Sequence, residues 1–292
     1  MKVRFWGTRG SIATPGPATL KYGGNTSCVE VRTKGHILVF DAGTGIHNLG
    51  IQLQKEFPST PITVHIFISH THWDHIQGFP FFLPAYDRQN RIIIYGPSGR
   101  DKTLRQIMRM QMDSDYFPVA IGDMNPNIEI VEVEAPITID GISITHFYLN
   151  HPAMSLAYRV SDGARSVVYA TDNEPYQYTL PAQQKNTRPT GFPEYLDDKL
   201  IEFLQGTDLY IGEAQYTLEE YKAKLGWGHS PIESIVEFAV KAKVKRLALF
   251  HHDPYHEDAF VDEMVEHAQQ LLAAQKSSIE CFGAKEGMEV VL

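Results

Sequence analysis

The chain has 292 residues, 43% of them hydrophobic and 21% charged, and its net charge is −9. This composition is ordinary for a soluble globular protein, and the sequence contains no run of eighteen apolar residues that would predict a membrane span. Affinity for nucleic acid comes mainly from lysine and arginine side chains that neutralise phosphates. The acidic balance therefore argues against nucleic acid as a partner.

The cysteine usage and the N-terminus predict a cytoplasmic protein. Cys28 and Cys281 lie far apart without ligand spacing, which excludes a cysteine-based zinc cage and fits a reducing compartment. Residues 1–11 contain no apolar segment of the kind found in secretory signals, and they predict a first strand instead.

Short β-branched runs alternate with helical patterns along the chain, without repeats or low-complexity linkers. The predicted strands are Val3–Trp6, Cys28–Thr33, His36–Asp41, Ile62–Ser69, Arg91–Tyr95, Ile128–Val133, Ile142–Tyr148, Ser155–Val160, Ser166–Ala170, Leu209–Gly212 and Arg246–Phe250. The predicted helices are Gly45–Glu56, Thr103–Met110, Leu196–Leu204, Pro231–Lys241 and Asp258–Ala274. Ser230 is the predicted N-cap of the fourth helix.

This alternation predicts one domain over residues 1–292, built as a sheet sandwich with helices outside. Residues 173–206 are rich in Pro, Gln and Tyr and are predicted to form a loop or cap insertion. A Met-rich segment begins within the second predicted helix and is predicted to be either core or an apolar lid over a ligand. Its members are Met108, Met110, Met112, Tyr116, Phe117 and Met124.

The most informative segment of the chain is His70-Thr71-His72-Trp73-Asp74-His75, which follows the apolar run Ile62–Ser69. Three imidazoles and one carboxylate at the end of a buried strand are ligands of the type preferred by zinc, manganese or iron. Further candidates follow other predicted strands, namely His151, Asp172, His251 and His252. Imidazoles and carboxylates that recur at strand C-termini predict that these side chains converge on one sheet edge.

These motifs resemble the metallo-β-lactamase superfamily over nearly the whole chain. The similar segments are Phe40–Gly45, His70–His75, Asn150–Pro152, Thr171–Asp172 and Leu249–His251. The resemblance implies an α/β fold, the αββα sandwich, and two divalent metal ions. Zinc is the first choice because imidazole dominates the ligand set, and Mn²⁺ or Fe²⁺ are alternatives.

The resemblance also implies a ligand set, motif by motif. One metal ion would be held by His70, His72 and His151, and the other by Asp74, His75 and a late histidine, with Asp172 bridging both. His251, His252 and His256 all lie near the late ligand position. His251 is preferred to His252, because Leu249, His251 and Pro254 match the family pattern. Asp41 is expected to orient a ligand rather than bind metal.

Within the superfamily the sequence resembles the phosphodiesterase branch, which includes tRNA 3′-end endonucleases and cyclic phosphodiesterases. His72 stands where di-iron members have Glu, and no cysteine lies near a ligand position as in true β-lactamases. Gly7–Ser11, Gly24–Ser27 and Tyr95–Pro97 are similar to this branch. Ile211–Ala214 and Gly228–Ser230 resemble its His-Glu-Ala-Thr and His-Ser-Thr motifs, with departures at Gly212, Gln215 and Pro231.

The branch implies that Glu213 and His229 act as a pair that protonates the leaving oxygen, so the candidate catalytic residues are Asp74, Glu213 and His229. The predicted substrate is a small or cyclic phosphodiester, partly because residues 173–206 hold more acidic than basic side chains. The alternatives are a tRNA 3′-end-type RNA endonuclease, a thioester or lactone hydrolase, and a non-catalytic metal-binding sensor. The resemblance further implies a homodimer.

Overall fold

The computed structural model describes residues 1–125, 127–179 and 192–292. The described residues form two mixed β-sheets of seven strands each. The chain divides into two compact units, Met1–Pro136 with Ala284–Leu292, and Ile137–Gly283. Each unit contains one sheet and its own helices. The predicted α/β fold class with two sheets and accompanying helices, the αββα metallo-β-lactamase class, is confirmed. The single domain predicted over residues 1–292 stays a prediction.

The sheet of the first unit has the strand order β14-β1-β2-β3-β4-β5-β6. Its strands are β1 (Lys2–Gly7), β2 (Cys28–Thr33), β3 (His36–Phe40), β4 (Thr63–Phe67), β5 (Arg91–Gly96), β6 (Ile128–Glu132) and β14 (Glu289–Val291). Pairing is antiparallel from β14 to β3 and parallel from β3 to β6. The near-continuous apolar runs of β4 and β5 fit this pattern, because strands inside parallel sheets are covered on both faces.

The helices of the first unit cover this sheet with apolar faces. They are α1 (Gly45–Glu56), α2 (Trp73–Ile76), α3 (Leu104–Met110) and α4 (Ile121–Met124). The unit also contains 3₁₀ turns at Pro17–Thr19, Phe79–Phe81 and Leu83–Tyr86. Ile46, Leu49 and Leu53 recur at helical spacing on α1 and join the core cluster that includes Val39 and Ile66. Thr103 begins α3 with a capping box.

The sheet of the second unit has the order β13-β12-β11-β10-β9-β8-β7. Its strands are β7 (Ile137–Ile139), β8 (Ile142–Leu149), β9 (Ser155–Ser161), β10 (Ser166–Ala170), β11 (Leu209–Glu213), β12 (Arg246–Phe250) and β13 (Glu280–Gly283), and its helices are α5 (Tyr176–Thr179), α6 (Phe192–Leu204), α7 (Leu218–Tyr221), α8 (Ile232–Lys241) and α9 (Asp258–Ala274). Strands β10 to β13 are parallel, and β7 to β10 are antiparallel.

The described part of residues 173–206, predicted as a loop or cap insertion, is largely helical, and the helix predicted over Leu196–Leu204 lies within α6. That the segment is an insertion stays a prediction. Asp197 on α6 accepts hydrogen bonds from the backbone N–H groups of Tyr176 (2.9 Å) and Gln177 (3.0 Å), so a long-range side-chain contact holds the first turn of α5. Residues 180–191 lie outside the described residues.

The predicted N-cap of α8 is also wrong. Pro231 occupies the cap position without a side-chain cap, and the hydroxyl of the buried Ser230 donates instead to the backbone carbonyl of Asn173, at 2.6 Å. The tertiary contact therefore replaces the local one. Among the described helices, none is both long and apolar enough to cross a membrane.

In each unit several of the predicted site residues lie at or beyond the C-terminal ends of strands that have a parallel neighbour. In the first unit, Asp41 follows β3, and Ser69 and His70 follow β4. In the second unit, Asp172 follows β10, Glu213 ends β11 and His251 follows β12. Because the carboxyl ends of parallel strands meet at one edge of a sheet, both units gather polar side chains there.

Candidate functional site

In the first unit, a buried network fixes two of the predicted histidine ligands. The Asp41 carboxylate accepts hydrogen bonds from the backbone N–H of Ser69 (2.7 Å), from its hydroxyl (2.8 Å) and from His75 Nδ1 (2.7 Å). Because the Ser69 hydroxyl donates to Asp41, its oxygen accepts from His70 Nδ1, at 3.1 Å. This is the orienting role predicted for Asp41, and it leaves Nε2 of His70 and His75 as the basic nitrogens.

Asp74 and His72 complete the cluster of this unit. Asp74 Oδ2 lies 3.1 Å from His75 Nε2 and accepts the backbone N–H of Ser11 at 2.8 Å. The His72 ring lies against that of His70, with centroids 4.6 Å apart, and is exposed. The short helix α2 explains the grouping, since it turns Asp74 and His75 back toward the strand end that carries His70.

In the second unit, Asp172 is the centre of a group of imidazoles. Its Oδ1 lies 3.2 Å from His251 Nε2, and its Oδ2 lies 3.8 Å from His229 Nδ1 and 4.0 Å from His151 Nε2. Asp172, His229 and His251 offer ligand atoms that lie within 4.8 Å of one another, and all three residues are buried. Oxygen acceptors again hold Nδ1, since His251 bonds Gln215 Oε1 (2.9 Å) and His151 bonds the Gly228 carbonyl (3.0 Å).

The loop that carries His229 is fixed by the buried Glu174. This carboxylate accepts hydrogen bonds from the Tyr221 hydroxyl (2.6 Å) and from the backbone N–H groups of Gly226 (2.7 Å) and Gly228 (2.8 Å). Gly228 has a φ of +89°, and a side chain there would collide with the His151 ring. Glu174 therefore positions both His229 and the carbonyl that holds His151.

Glu213 is fully buried at the end of β11, and its oxygens receive backbone N–H groups. Ser230 and Asn173 donate to Oε1, and Gln215 donates to Oε2. Burial, together with the nearby Asp172 carboxylate, raises the pKa of Glu213 well above its usual value, although these amide donors act in the opposite direction. His229 Nδ1 lies 4.0 Å from Glu213 Oε2. The predicted pair is thus adjacent, but Glu213 first of all anchors the loop.

Three candidate residues have left-handed backbone conformations within two residues of the ends of their strands. The φ angles are 60° at Asp41, 42° at Asp172 and 60° at His251. Such angles are uncommon outside glycine and cost free energy, so they persist where the surrounding structure demands them. Their recurrence at three strand ends indicates that these conformations are kept, despite their cost in free energy, because they direct the three side chains.

The donor chemistry of both clusters fits divalent metal ions. In four histidines, namely His70, His75, His151 and His251, a protein oxygen holds Nδ1, which leaves Nε2 as the donor atom. In a tetrahedral zinc site with bonds of about 2.0–2.2 Å, neighbouring ligand atoms lie roughly 3.3–3.6 Å apart. The Asp74–His75 and Asp172–His251 separations of 3.1 and 3.2 Å are close to that spacing.

The structure separates the candidates for the late ligand. His251 faces Asp172, as described, whereas His256 Nε2 bonds Glu220 Oε1 at 2.8 Å and is thereby occupied. His252 is not among the grouped ligand atoms of the described residues. Sequence reasoning missed the orienting acceptors Ser69 and Gln215 and the loop anchor Glu174. Gln215 departs from the family motif, and that departure was the one available signal.

An open cavity of about 670 Å³ in the first unit borders the His70–His75 segment. Its lining combines apolar side chains with two cations, namely Trp73, Phe81, Met110 and Tyr116 with Arg100 and Lys102. The segment predicted to be either core or an apolar lid divides between the core and the cavity. Met108, Met112 and Met124 are buried in the core, whereas Met110 and Tyr116 are exposed at the cavity.

Comparisons with known proteins agree with this arrangement. The family model described as the β-lactamase superfamily domain matches residues 36–252. Ribonuclease Z of Natronomonas pharaonis is 24% identical over 290 residues and 86% of each chain is covered. Ribonuclease Z of Haloarcula marismortui is 24% identical over 321 residues, with 99% of this chain and 96% of the relative covered.

Solved structures show the same fold at low identity. Unliganded yeast PDE1 aligns with a TM-score of 0.69 at 14% identity, covering 100% of this chain and 99% of that one. The short form of human tRNase Z aligns with a TM-score of 0.63 at 20% identity, covering 100% and 98%.

The prediction that nucleic acid is not a partner is wrong, because the relatives that align over most of this chain are ribonucleases by name. The error has a physical cause. A net charge of −9 averages over the whole surface, whereas a substrate contacts only part of it, and local cations such as Arg100 and Lys102 are hidden in the sum.

Proposed function

The chain belongs to the β-lactamase superfamily domain family, and from that premise we propose that it is a metal-dependent phosphodiesterase that cleaves RNA. The family, together with the relatives named Ribonuclease Z, makes the chain a metal-dependent hydrolase. The step from hydrolase to ribonuclease is supported by the relatives named Ribonuclease Z, two of which align over 86% and 99% of this chain. The predicted cytoplasmic location agrees with an RNA substrate.

The proposed metal ligands are the residues named by the sequence motifs. His70, His72 and His151 would hold one ion, Asp74, His75 and His251 would hold the other, and Asp172 would bridge them. Zinc is the first choice because imidazole dominates. Divalent ions bound there supply Lewis acidity toward the phosphoryl oxygens and lower the pKa of a bound water.

One observation carries the proposal, namely the position of His229. Its Nδ1 faces two carboxylates, Asp172 at 3.8 Å and Glu213 at 4.0 Å. The two carboxylates lie on the Nδ1 side of the ring, so Nε2 is the nitrogen on the opposite side and is the one proposed to serve the leaving oxygen. A ribose oxygen leaves a phosphodiester readily only when it is protonated, and His229 is the residue placed to protonate it.

A panel of substrates tests the proposal. Protein with its metals is incubated with an RNA that carries a 3′ extension, a cyclic nucleotide, a phosphomonoester, a thioester and a lactone, with Zn²⁺ and with Mn²⁺. We expect the highest kcat/KM on RNA and no activity after removal of metal with a chelator. Faster turnover of the thioester or lactone, or RNA cleavage that persists in chelator, would contradict the proposal.

The second candidate is a small or cyclic phosphodiester, as the sequence predicted. The cavity of about 670 Å³ favours it, because that volume is typical of small-molecule sites. A cyclic nucleotide that is hydrolysed at a higher kcat/KM than RNA would establish this candidate.

Metal content is the second test. Elemental analysis of protein purified without chelator is expected to approach two metal equivalents per chain. A stable single equivalent with all seven proposed ligands intact would contradict the dinuclear site while leaving the hydrolase assignment in place.

A further inference from the structure

The cavity beside the His70–His75 segment has exposed aromatic walls. Trp73 is 80% exposed and Tyr116 is 81% exposed, and Phe81 and Met110 also face solvent. Exposed apolar groups that are clustered around one concave surface indicate a binding site, whereas single ones do not. Phe117 also lines the cavity, and its ring packs edge-on against Phe81 with centroids 5.4 Å apart.

The lining of the same cavity also carries two cations. Arg100 and Lys102 are exposed there, and neither has an ion-pair partner among the described residues. Asp101 is the carboxylate among the lining residues, and Asp113 and Asp115 follow α3 outside the lining. Two cations against one carboxylate stand out in a chain of net charge −9. The cavity thus offers cations to an anion and exposed apolar surface to a flat group.

Unpaired nucleotides combine these two features. Proteins bind single strands by stacking bases on aromatic side chains while cations follow the phosphates. Trp73 lies between His72 and Asp74 in the chain, so a base that stacks on Trp73 belongs to a nucleotide close to these proposed ligands.

We propose that this cavity is a subsite for one unpaired base of the RNA substrate, with Trp73 and Tyr116 stacking on the base and Arg100 and Lys102 contacting the adjacent phosphates. The proposal rests on the proposed function for its occupant, and it names residues that the metal ligand set does not include.

The test compares two probes that differ only in the base. Calorimetric titration of the metal-loaded protein with adenosine 5′-monophosphate and with ribose 5-phosphate measures what the base adds, since both carry the same phosphate. Stacking contributes about 1–3 kcal/mol per base, so AMP is expected to bind roughly 5- to 150-fold more tightly than ribose 5-phosphate.

Three variants locate the effect. Tyr116→Ala is expected to reduce the AMP advantage at least severalfold and to leave ribose 5-phosphate binding unchanged. The double variant Arg100→Ala with Lys102→Ala is expected to weaken both probes and to lower the salt dependence of binding. Tyr195→Ala is the matched control, because Tyr195 is an exposed tyrosine of the other unit with a lysine over its ring.

Two outcomes overturn the proposal, namely equal binding of AMP and ribose 5-phosphate by the unaltered protein, or an AMP advantage that survives Tyr116→Ala. If either occurs while RNA is cleaved, the subsite falls and the proposed function stands. If AMP binds through Tyr116 and RNA is not cleaved, the nucleotide subsite stands and the ribonuclease assignment falls.

Discussion

At the scale of single residues, the candidate site depends on how each imidazole is held. Histidine has two nitrogens, and a ligand must present one of them unprotonated. In the first unit, Asp41 fixes this choice directly for His75 and through Ser69 for His70. In the second unit, Gln215 fixes it for His251 and the Gly228 carbonyl fixes it for His151. The outer partners of such ligands commonly change metal affinity or activity 10- to 100-fold when mutated.

The role of His229 is tested by the leaving group. A nitrophenolate leaves without a proton, whereas a ribose oxygen requires one. His229→Ala is therefore expected to lower the rate on RNA or an alkyl diester by about 10²–10⁴, the usual effect of general-acid catalysis, and to lower the rate on bis-nitrophenyl phosphate much less. Glu213→Gln is expected to show the same dependence more weakly. Steady-state rates and metal content are measured for each variant.

His267→Ala is the matched control, because His267 lies on the surface and bonds Glu233. An equal loss on both substrates with metal retained would leave His229 as a positioning residue. Loss of metal from His229→Ala would instead make it a ligand, which its grouping with Asp172 and His251 also allows.

At the scale of elements, the site is made by strand ends and by the loop after α7. Sequence patterns predict the parallel strands well because their apolar runs are strong, and the ligand motifs follow those runs directly. They do not predict which side chains anchor the loop. Glu174 acts on Gly226 and Gly228, about fifty residues away in the chain, and no local pattern records such a contact.

Glu174→Gln tests this anchor. The substitution removes the negative charge and places an amide group against N–H donors, so the loop is expected to lose part of its order. Activity is expected to fall about 10- to 100-fold, as for other partners that orient metal ligands. The backbone amide hydrogens of Gly226 and Gly228 are expected to exchange faster with solvent. Kinetics and amide hydrogen exchange measure the two effects.

Glu219→Gln is the control for this variant, since Glu219 carries the same carboxylate on an exposed helix nearby. Unchanged activity and exchange in Glu174→Gln would show that the loop is held by other contacts.

Asp208 directly precedes β11 and links the beginnings of β10, β11 and β12. It accepts the backbone N–H of Ser166 (2.8 Å) and pairs with Lys245 (2.7 Å) and Arg165 (3.3 Å). Burial alone raises the pKa of Asp208, but Lys245, the Ser166 amide and Arg165 outweigh it and lower the pKa below its usual value. A lowered folded-state pKa stabilises the protein above the unfolded pKa of about 3.9, and the effect is lost as pH falls through the folded value.

Asp208→Asn is therefore expected to lower the free energy of unfolding by about 1.5–3 kcal/mol at pH 7, the range for hydrogen bonds to charged groups, and by less as the pH falls below about 4. Urea titrations at both pH values measure it. Glu280→Gln is the control, because Glu280 makes an exposed pair with Arg246 and surface pairs contribute at most about 1 kcal/mol. A cost for Asp208→Asn that is independent of pH would show that charge is not the cause.

At the scale of the whole molecule, the sequence predicts the fold class and most strands. It misses short strands at the edges of the sheets and the helices of one turn. Strands β7, β13 and β14 have three or four residues, too few for a pattern, and they form because a sheet edge pairs with them. The same scale explains the wrong expectation about nucleic acid. Net charge is a property of the chain, whereas recognition depends on one surface.

The source of the oxygen in the RNA products tests the central claim of a metal-dependent phosphodiesterase most directly. RNA is cleaved by the metal-loaded protein in H₂¹⁸O, and the ends are analysed by mass spectrometry. Attack by water with protonation of the leaving ribose oxygen predicts a terminal phosphate that carries one ¹⁸O and a free ribose hydroxyl on the other product. A 2′,3′-cyclic phosphate without ¹⁸O, or products formed equally well in chelator, would contradict the account.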